Sequence, residues 1–269
     1  MRRSLRSDPN LEYLVYVPTA GAIDAPVLVA VHGVSRGWNE QAATFVAHCE
    51  SHGVVLLAPS FSGEAHGDYQ RLGREGRGQR ADLFLHRCLQ ELTSLTGADT
   101  TQFRLFGHSG GAQFAHRYLM AYPHRVARAM VAAAGWYTFP DAGLKFPYGI
   151  QSSRRLPGIV FNPEAYLRVP VTVLVGSEDV HSKNLRSSER VNAQQGRTRV
   201  ERARNWVTAM EAQAHLYGIE PQVSLVELPG SGHSFEELCR QGALVERLFR
   251  PQFDAPLEGG SEMRALINA

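Results

Sequence analysis

The sequence predicts an α/β protein built on a mostly parallel central sheet with helices on both faces. Short aliphatic runs alternate with longer segments of helical periodicity along almost the whole chain. The runs are apolar at nearly every position, as strands buried on both faces are. Most of them also stop at glycine, histidine, serine or acid, and in such sheets ligands gather at the carboxyl ends of the strands.

Residues 11–17 alternate weakly, stop at Pro18, and read as an edge strand. Residues 27–31 (Val-Leu-Val-Ala-Val) form the first buried run and end in His32-Gly33-Val34. A helix is expected from 39 to about 51, with Ala42, Phe45, Val46 and Cys49 on its apolar side. Residues 54–58 are the next strand, closed by Pro59, and glycine and arginine then crowd a loop over 62–80. Residues 81–95 place leucines and Phe84 at helical spacing, with Gly97 as the stop. Residues 103–107 are again apolar, and helical periodicity (Phe114, Ala115, Tyr118, Leu119) starts directly after Ser109.

Residues 126–134 make another buried strand, ending at Gly135-Trp136-Tyr137. Between there and Pro170, prolines and aromatics break the periodicity, and long loops in compact domains are often functional. Residues 136–170 therefore read as a cap-like insertion, with one helical turn near 163–167. Residues 171–175 resume the sheet and end in Gly176-Ser177-Glu178-Asp179. Residues 198–217 form a helix with Val200, Ala203, Trp206, Val207, Met210 and Ala214 on one face. Residues 223–228 are the last strand, ending at Pro229-Gly230-Ser231-Gly232-His233. Ser234 and Glu237 stand at capping-box spacing before a final helix with Leu238, Leu244, Leu248 and Phe249. The expected organisation is one domain over 1–250, and a poorly ordered tail over 251–269.

With 269 residues, 43% of them hydrophobic, the chain can bury a sizeable core, and a net charge of +2 gives no reason to expect nucleic acid or a membrane as partner. Two arginine groups, at 71, 74, 77 and 80 and at 197, 199, 202 and 204, are interrupted by acids and read as solvated faces or pocket edges. Three cysteines far apart imply no disulfide framework, and the N-terminus has no apolar stretch after its basic residues. The cytoplasm is the expected compartment. His48 and His52 stand at i, i+4, but Cys49 occupies the place where a metalloprotease needs Glu, so neither a metal nor another cofactor is expected.

The chemistry gathers at three strand ends. Ser109 lies inside Gly107-His108-Ser109-Gly110-Gly111, at a strand turning at once into a helix, where a side chain at 107 or 111 would clash. A serine hydroxyl is a weak nucleophile at neutral pH and needs an adjacent base, and His233 supplies one. The base needs a carboxylate to fix its tautomer, and Asp179 and Glu178 both qualify. The amides of Gly110 and Val34 can receive a developing oxyanion. His32 is expected to brace that turn and border the substrate. His108 is expected to pack or hydrogen-bond beside the nucleophile. Trp136, Tyr137 and Tyr148 are expected to wall an apolar pocket.

His32-Gly33, Gly107-His108-Ser109-Gly110-Gly111, Gly176-x-x-Asp179 and Gly232-His233, in this order, resemble the α/β-hydrolase superfamily from about 11 to 249. That resemblance implies an α/β-hydrolase fold with a short loop-rich cap after the sixth strand, and it selects Asp179 over Glu178. The single-glycine His-Gly turn and Gly135-Trp136-Tyr137 are similar to the polyhydroxybutyrate-depolymerase and feruloyl-esterase branch. The activity implied is hydrolysis of small carboxylic esters through an acyl-serine, with Ser109, His233 and Asp179 as triad. Thioester or C–C bond hydrolysis and acyl transfer use the same triad, and a non-catalytic small-molecule binder can share the fold.

Overall fold

The computed structural model describes residues 1–181 and 185–250. Eight strands, β1 (Arg2–Leu5), β2 (Asp8–Tyr16), β3 (Pro26–Val31), β4 (Val55–Pro59), β5 (Asp99–His108), β6 (Val126–Ala132), β7 (Val171–Gly176) and β8 (Val223–Leu228), form one sheet. Their spatial order is β1-β2-β4-β3-β5-β6-β7-β8. The pairs from β4 to β8 are parallel, and only β1 and β2 run against their neighbours. The helices are α1 (Trp38–His52), α2 (Ala81–Thr96), α3 (Gly110–Ala121), α4 (Pro163–Tyr166), α5 (Glu189–Gln195), α6 (Arg199–Leu216), α7 (Phe235–Arg240) and α8 (Leu244–Phe249).

Alternation along each strand divides the core into two layers. Val27, Val29 and Val31 of β3 join the layer of α2, α3 and α6, with Phe84, Phe114, Tyr118 and Trp206. Leu28 and Ala30 join the opposite layer, with Phe45 and Cys49 of α1 and with Leu238, Leu244 and Leu248 of α7 and α8. A sheet buried on both faces needs strands apolar at every position, which is why β3, β4 and β7 read as continuous aliphatic runs.

Several expectations from sequence are corrected. The strand at 11–17 is longer and is not the edge; β1 covers it, with hydrogen bonds between Met1 and Val15 in both directions. β1 is Arg-Arg-Ser-Leu, too short and polar to stand out as a strand. Helix α5 carries only two buried residues, Val191 and Gln195, so its periodicity is silent. The final helix is two helices, broken where Gly242 lets the chain pass Leu228; a Cβ there would lie 2.1 Å from Leu228 Cδ1. Ser234 forms no side-chain cap, because Glu237 Oε2 instead accepts the Gly232 N–H at 3.0 Å. The segment 136–170 follows β6, the sixth strand. Phe139, Phe146, Leu156, Ile159, Phe161 and Tyr166 are buried in the α2/α3/α6 layer. The tail 251–269 lies outside the described residues.

Candidate active site

β5 runs into α3 with one residue, Ser109, between them. Its backbone stands at φ 53° and ψ −108°, a conformation that a non-glycine residue rarely adopts. The turn is fixed from both sides. The Ser109 N–H donates to Ala132 O of β6 at 2.8 Å, and Gln113 N–H returns to Ser109 O. The flanking glycines are sterically required, as expected: a Cβ at Gly107 would meet Gly111 O at 2.2 Å, and one at Gly111 would meet Val31 O at 2.1 Å.

The ends of β7 and β8 bring Asp179 and His233 to this serine. His233 Nδ1 lies 2.8 Å from Asp179 Oδ2, and His233 Nε2 lies 3.1 Å from Ser109 Oγ. A carboxylate only accepts, so Nδ1 carries the proton and, in the neutral ring, Nε2 is left to accept from the hydroxyl. Asp179 is 3% exposed, and its second oxygen is taken by Arg199, whose Nη1 donates to Oδ1 at 3.0 Å. The triad-like carboxylate is therefore clamped between an imidazole and a guanidinium. Glu178, the competing acid, lines the same cavity but makes no side-chain hydrogen bond among the described residues. His108 donates from Nε2 to the His233 carbonyl at 3.0 Å, tying β5 to the histidine loop; burial pushes its pKa down to about 3.

Ser109, His233 and Asp179 border a cavity of about 790 Å³, a size suited to a small molecule. Val34 lines it too and touches Gly110, since a Cβ on Gly110 would lie 2.9 Å from Val34 Cγ1. Neither the Val34 nor the Gly110 amide finds an acceptor among the described residues. Both are thus available to an incoming oxygen.

Of the four residues expected to border substrate, Trp136 lines the cavity and the others stand behind it. His32 is 1% exposed, donates from Nδ1 to Gly33 O, accepts from the Phe61 N–H at Nε2, and packs against Phe61 and Tyr69. Its burial lowers its pKa to about 4, so it braces the turn as a neutral ring. Tyr137 is buried, stacked on Trp206, with its backbone bonded to the Gln195 amide. Tyr148 packs on the far side of Trp136. The wall is mixed: Gln70, Arg71, Gln113, Arg186 and Arg199 line it beside Val34 and Phe235.

The arginine groups are likewise not simply solvated. Arg199 and Arg202 are buried, and Arg202 donates to Gly135 O, Arg186 O, Gly196 O and Asn192 Oδ1, holding the segment that carries Arg186. The available signal was position: Arg199 shares the stripe of Ala203, Trp206 and Met210, where an arginine must find a buried partner. Gln70, Arg71, Gln113 and Arg186 carry no such mark.

No protein-family model and no curated protein matches the sequence. Solved structures do. Poly(3-hydroxybutyrate) depolymerase LpqC from Bordetella parapertussis superposes with a TM-score of 0.77 and 27% identity, over 97% of this chain and 91% of that one. The chain belongs to the α/β-hydrolase superfamily. Other hydrolases of this fold align at lower identity. Poly(aspartic acid) hydrolase-1 from Sphingomonas sp. KT-1 gives a TM-score of 0.73 and 23% identity, over 88% of this α/β-hydrolase and 93% of that chain. An S-formylglutathione hydrolase from Agrobacterium tumefaciens gives 0.60 and 14%, over 89% of each. Both agree in fold.

Proposed function

We propose that the protein hydrolyses carboxylic esters of small molecules through an acyl-serine intermediate. The observation that carries this reading is the unbroken hydrogen-bonded chain from Ser109 Oγ through His233 to Asp179, set at three strand ends of one cavity. The similarity to LpqC, a depolymerase of a polyester, supports ester bonds over other acyl linkages.

In the proposed mechanism Ser109 Oγ attacks the ester carbonyl carbon as His233 Nε2 takes the hydroxyl proton. Asp179, ionised and braced by Arg199, stabilises the imidazolium that forms. The carbonyl oxygen, now anionic, accepts from the Val34 and Gly110 N–H groups. Collapse breaks the bond to the alcohol, which leaves with the proton from His233. Water then repeats the sequence in reverse, freeing the acid and restoring Ser109. No helix among the described residues is long and apolar enough to cross a membrane. Three free cysteines support work in a reducing compartment such as the cytoplasm.

The test is turnover of p-nitrophenyl acetate and butyrate by purified protein. Wild type is expected to release p-nitrophenol and Ser109→Ala to lose at least about a thousandfold in kcat. A Ser109→Ala protein that keeps the wild-type rate refutes the mechanism.

A further inference from the structure

The cavity is electrically lopsided. Three guanidiniums converge on the Trp136 indole of its wall, with Arg117 4.3 Å, Arg186 5.2 Å and Arg71 5.9 Å from the ring centroid. Among the described residues Asp68 alone offsets them, and it is already shared between Arg71 and Arg74. Arg117 is fully buried and donates to Thr138 Oγ1, Gln70 O and Gln113 O; among the described residues it meets no carboxylate and its Nη2 finds no partner. Arg186 is exposed, lines the cavity and, among the described residues, its side chain donates only to the Tyr148 hydroxyl. The carboxylates that line the cavity outside the triad, Glu178 and Glu237, sit with the histidine loop, where the Glu178 N–H donates to Ser231 O and Glu237 Oε2 accepts the Gly232 N–H.

Arg71 and Arg186 on the cavity wall, with buried Arg117 also against the indole, leave an excess of cation that an entering anion offsets. Burial already pulls the Arg117 guanidinium well below its ordinary pKa, with Arg71, Arg74 and Arg186 adding repulsion. The reaction itself orients the substrate. The alcohol must receive its proton from His233 and so departs on the side of the histidine loop and its glutamates. Gln70, beside Gly110, and Arg71 and Arg186 line the rest of the cavity, the space left to the acyl chain.

We infer that the acyl group this site receives ends in a carboxylate, seated against Arg71 and Arg186 beside Trp136, so that the substrates are half-esters of dicarboxylic acids. This deepens, and rests on, the ester-hydrolase reading of Ser109. It replaces the apolar pocket expected from the sequence with a cationic one. Arg186, exposed and lining the cavity together with Arg71, is the element that sets specificity.

Monoethyl adipate and ethyl hexanoate differ at the chain end by a carboxylate against a methyl. Acid release is followed at constant pH. Wild type is expected to prefer the half-ester by about tenfold or more in kcat/KM, as a charge-assisted hydrogen bond provides. The ratio falls toward one in Arg186→Gln and in Arg71→Gln, and also as salt is raised. Arg186→Gln alone suffices should Arg71→Gln fail to fold. The alcohol side is checked with 4-acetoxybutyrate against butyl acetate, where no preference is expected. A second readout is free of turnover: calorimetry of glutarate and valerate with Ser109→Ala, in which glutarate binds more tightly and loses that advantage in Ser109→Ala/Arg186→Gln. An active wild type that uses both acyl esters equally, keeps its preference in both arginine variants, or prefers the carboxylate only on the alcohol, overturns the inference. A protein that turns over no ester yet shows the calorimetric difference overturns the hydrolase reading instead, and glutarate binding no tighter than valerate overturns the subsite.

Discussion

Replacing Arg199 by methionine removes the clamp from Asp179 while keeping an unbranched side chain in place. In the native protein the guanidinium and carboxylate are 5% and 2% exposed and meet at 3.0 Å. Without Arg199 the carboxylate stays buried with, among the described residues, only the His233 Nδ1–H to satisfy it. Breaking a buried pair from one side costs about 3–5 kcal/mol, which for a chain of this size lowers Tm by roughly 6–20 °C. The freed carboxylate also loses one of its two anchors, so the imidazole it orients is less well aimed. A fall in kcat of about 10–100-fold is expected, with a smaller change in KM, as for misplacement by about an ångström. Thermal melts and p-nitrophenyl butyrate kinetics read both effects. Arg199→Lys, which restores the charge, is expected to recover part of each. On stability, Arg199→Met combined with Asp179→Asn is expected to cost less than the sum of the single changes, by about 2 kcal/mol. An Arg199→Met protein that melts and turns over like wild type refutes the claim that this ion pair holds the acid in place.

Two further outcomes follow from the geometry. Gly111→Ala forces a Cβ to 2.1 Å from Val31 O, where no flexible side chain can yield; a loss of about 3 kcal/mol or more is expected, seen as lost soluble yield or a lowered urea midpoint. Buried His32 ionises in the fold only near pH 4, against about 6.5 when unfolded. Between those values the unfolded chain binds more protons, so stability is complete above about pH 6.5 and falls on acidification, by about 2 kcal/mol from His32 between pH 7 and 5. Urea titrations across that range check it, and His32→Gln should flatten the slope; an unchanged slope contradicts the neutral, braced ring.

The sheet was legible because burial on both faces leaves no room for polar alternation, so each central strand announces itself. The elements that stayed hidden are those whose order comes from tertiary bonds. β1 is held by its pairing with β2 and the Met1–Val15 bonds, and α5 by the Ser188 cap and the four carbonyl and amide oxygens that Arg202 gathers. Ser109, Asp179 and His233 could be found because glycine and histidine interrupt aliphatic runs there, and a residue that interrupts a strand end is visible without coordinates. The cavity wall is different. Arg71 sits in a glycine-rich loop and Arg186 after β7, with nothing in their neighbours to separate them from surface arginines. The aromatic run after β6 lacks periodicity for a physical reason: Phe139, Phe146 and Phe161 fill the core from an irregular backbone.

Labelling with a fluorophosphonate probe tests the central claim most directly, since it needs both a nucleophilic hydroxyl and the base that activates it. Intact-mass and peptide analysis are expected to show one adduct, on Ser109, formed rapidly in wild type, slowly in His233→Ala and not at all in Ser109→Ala. An adduct on another residue, or one formed on Ser109 just as fast without His233, contradicts the relay.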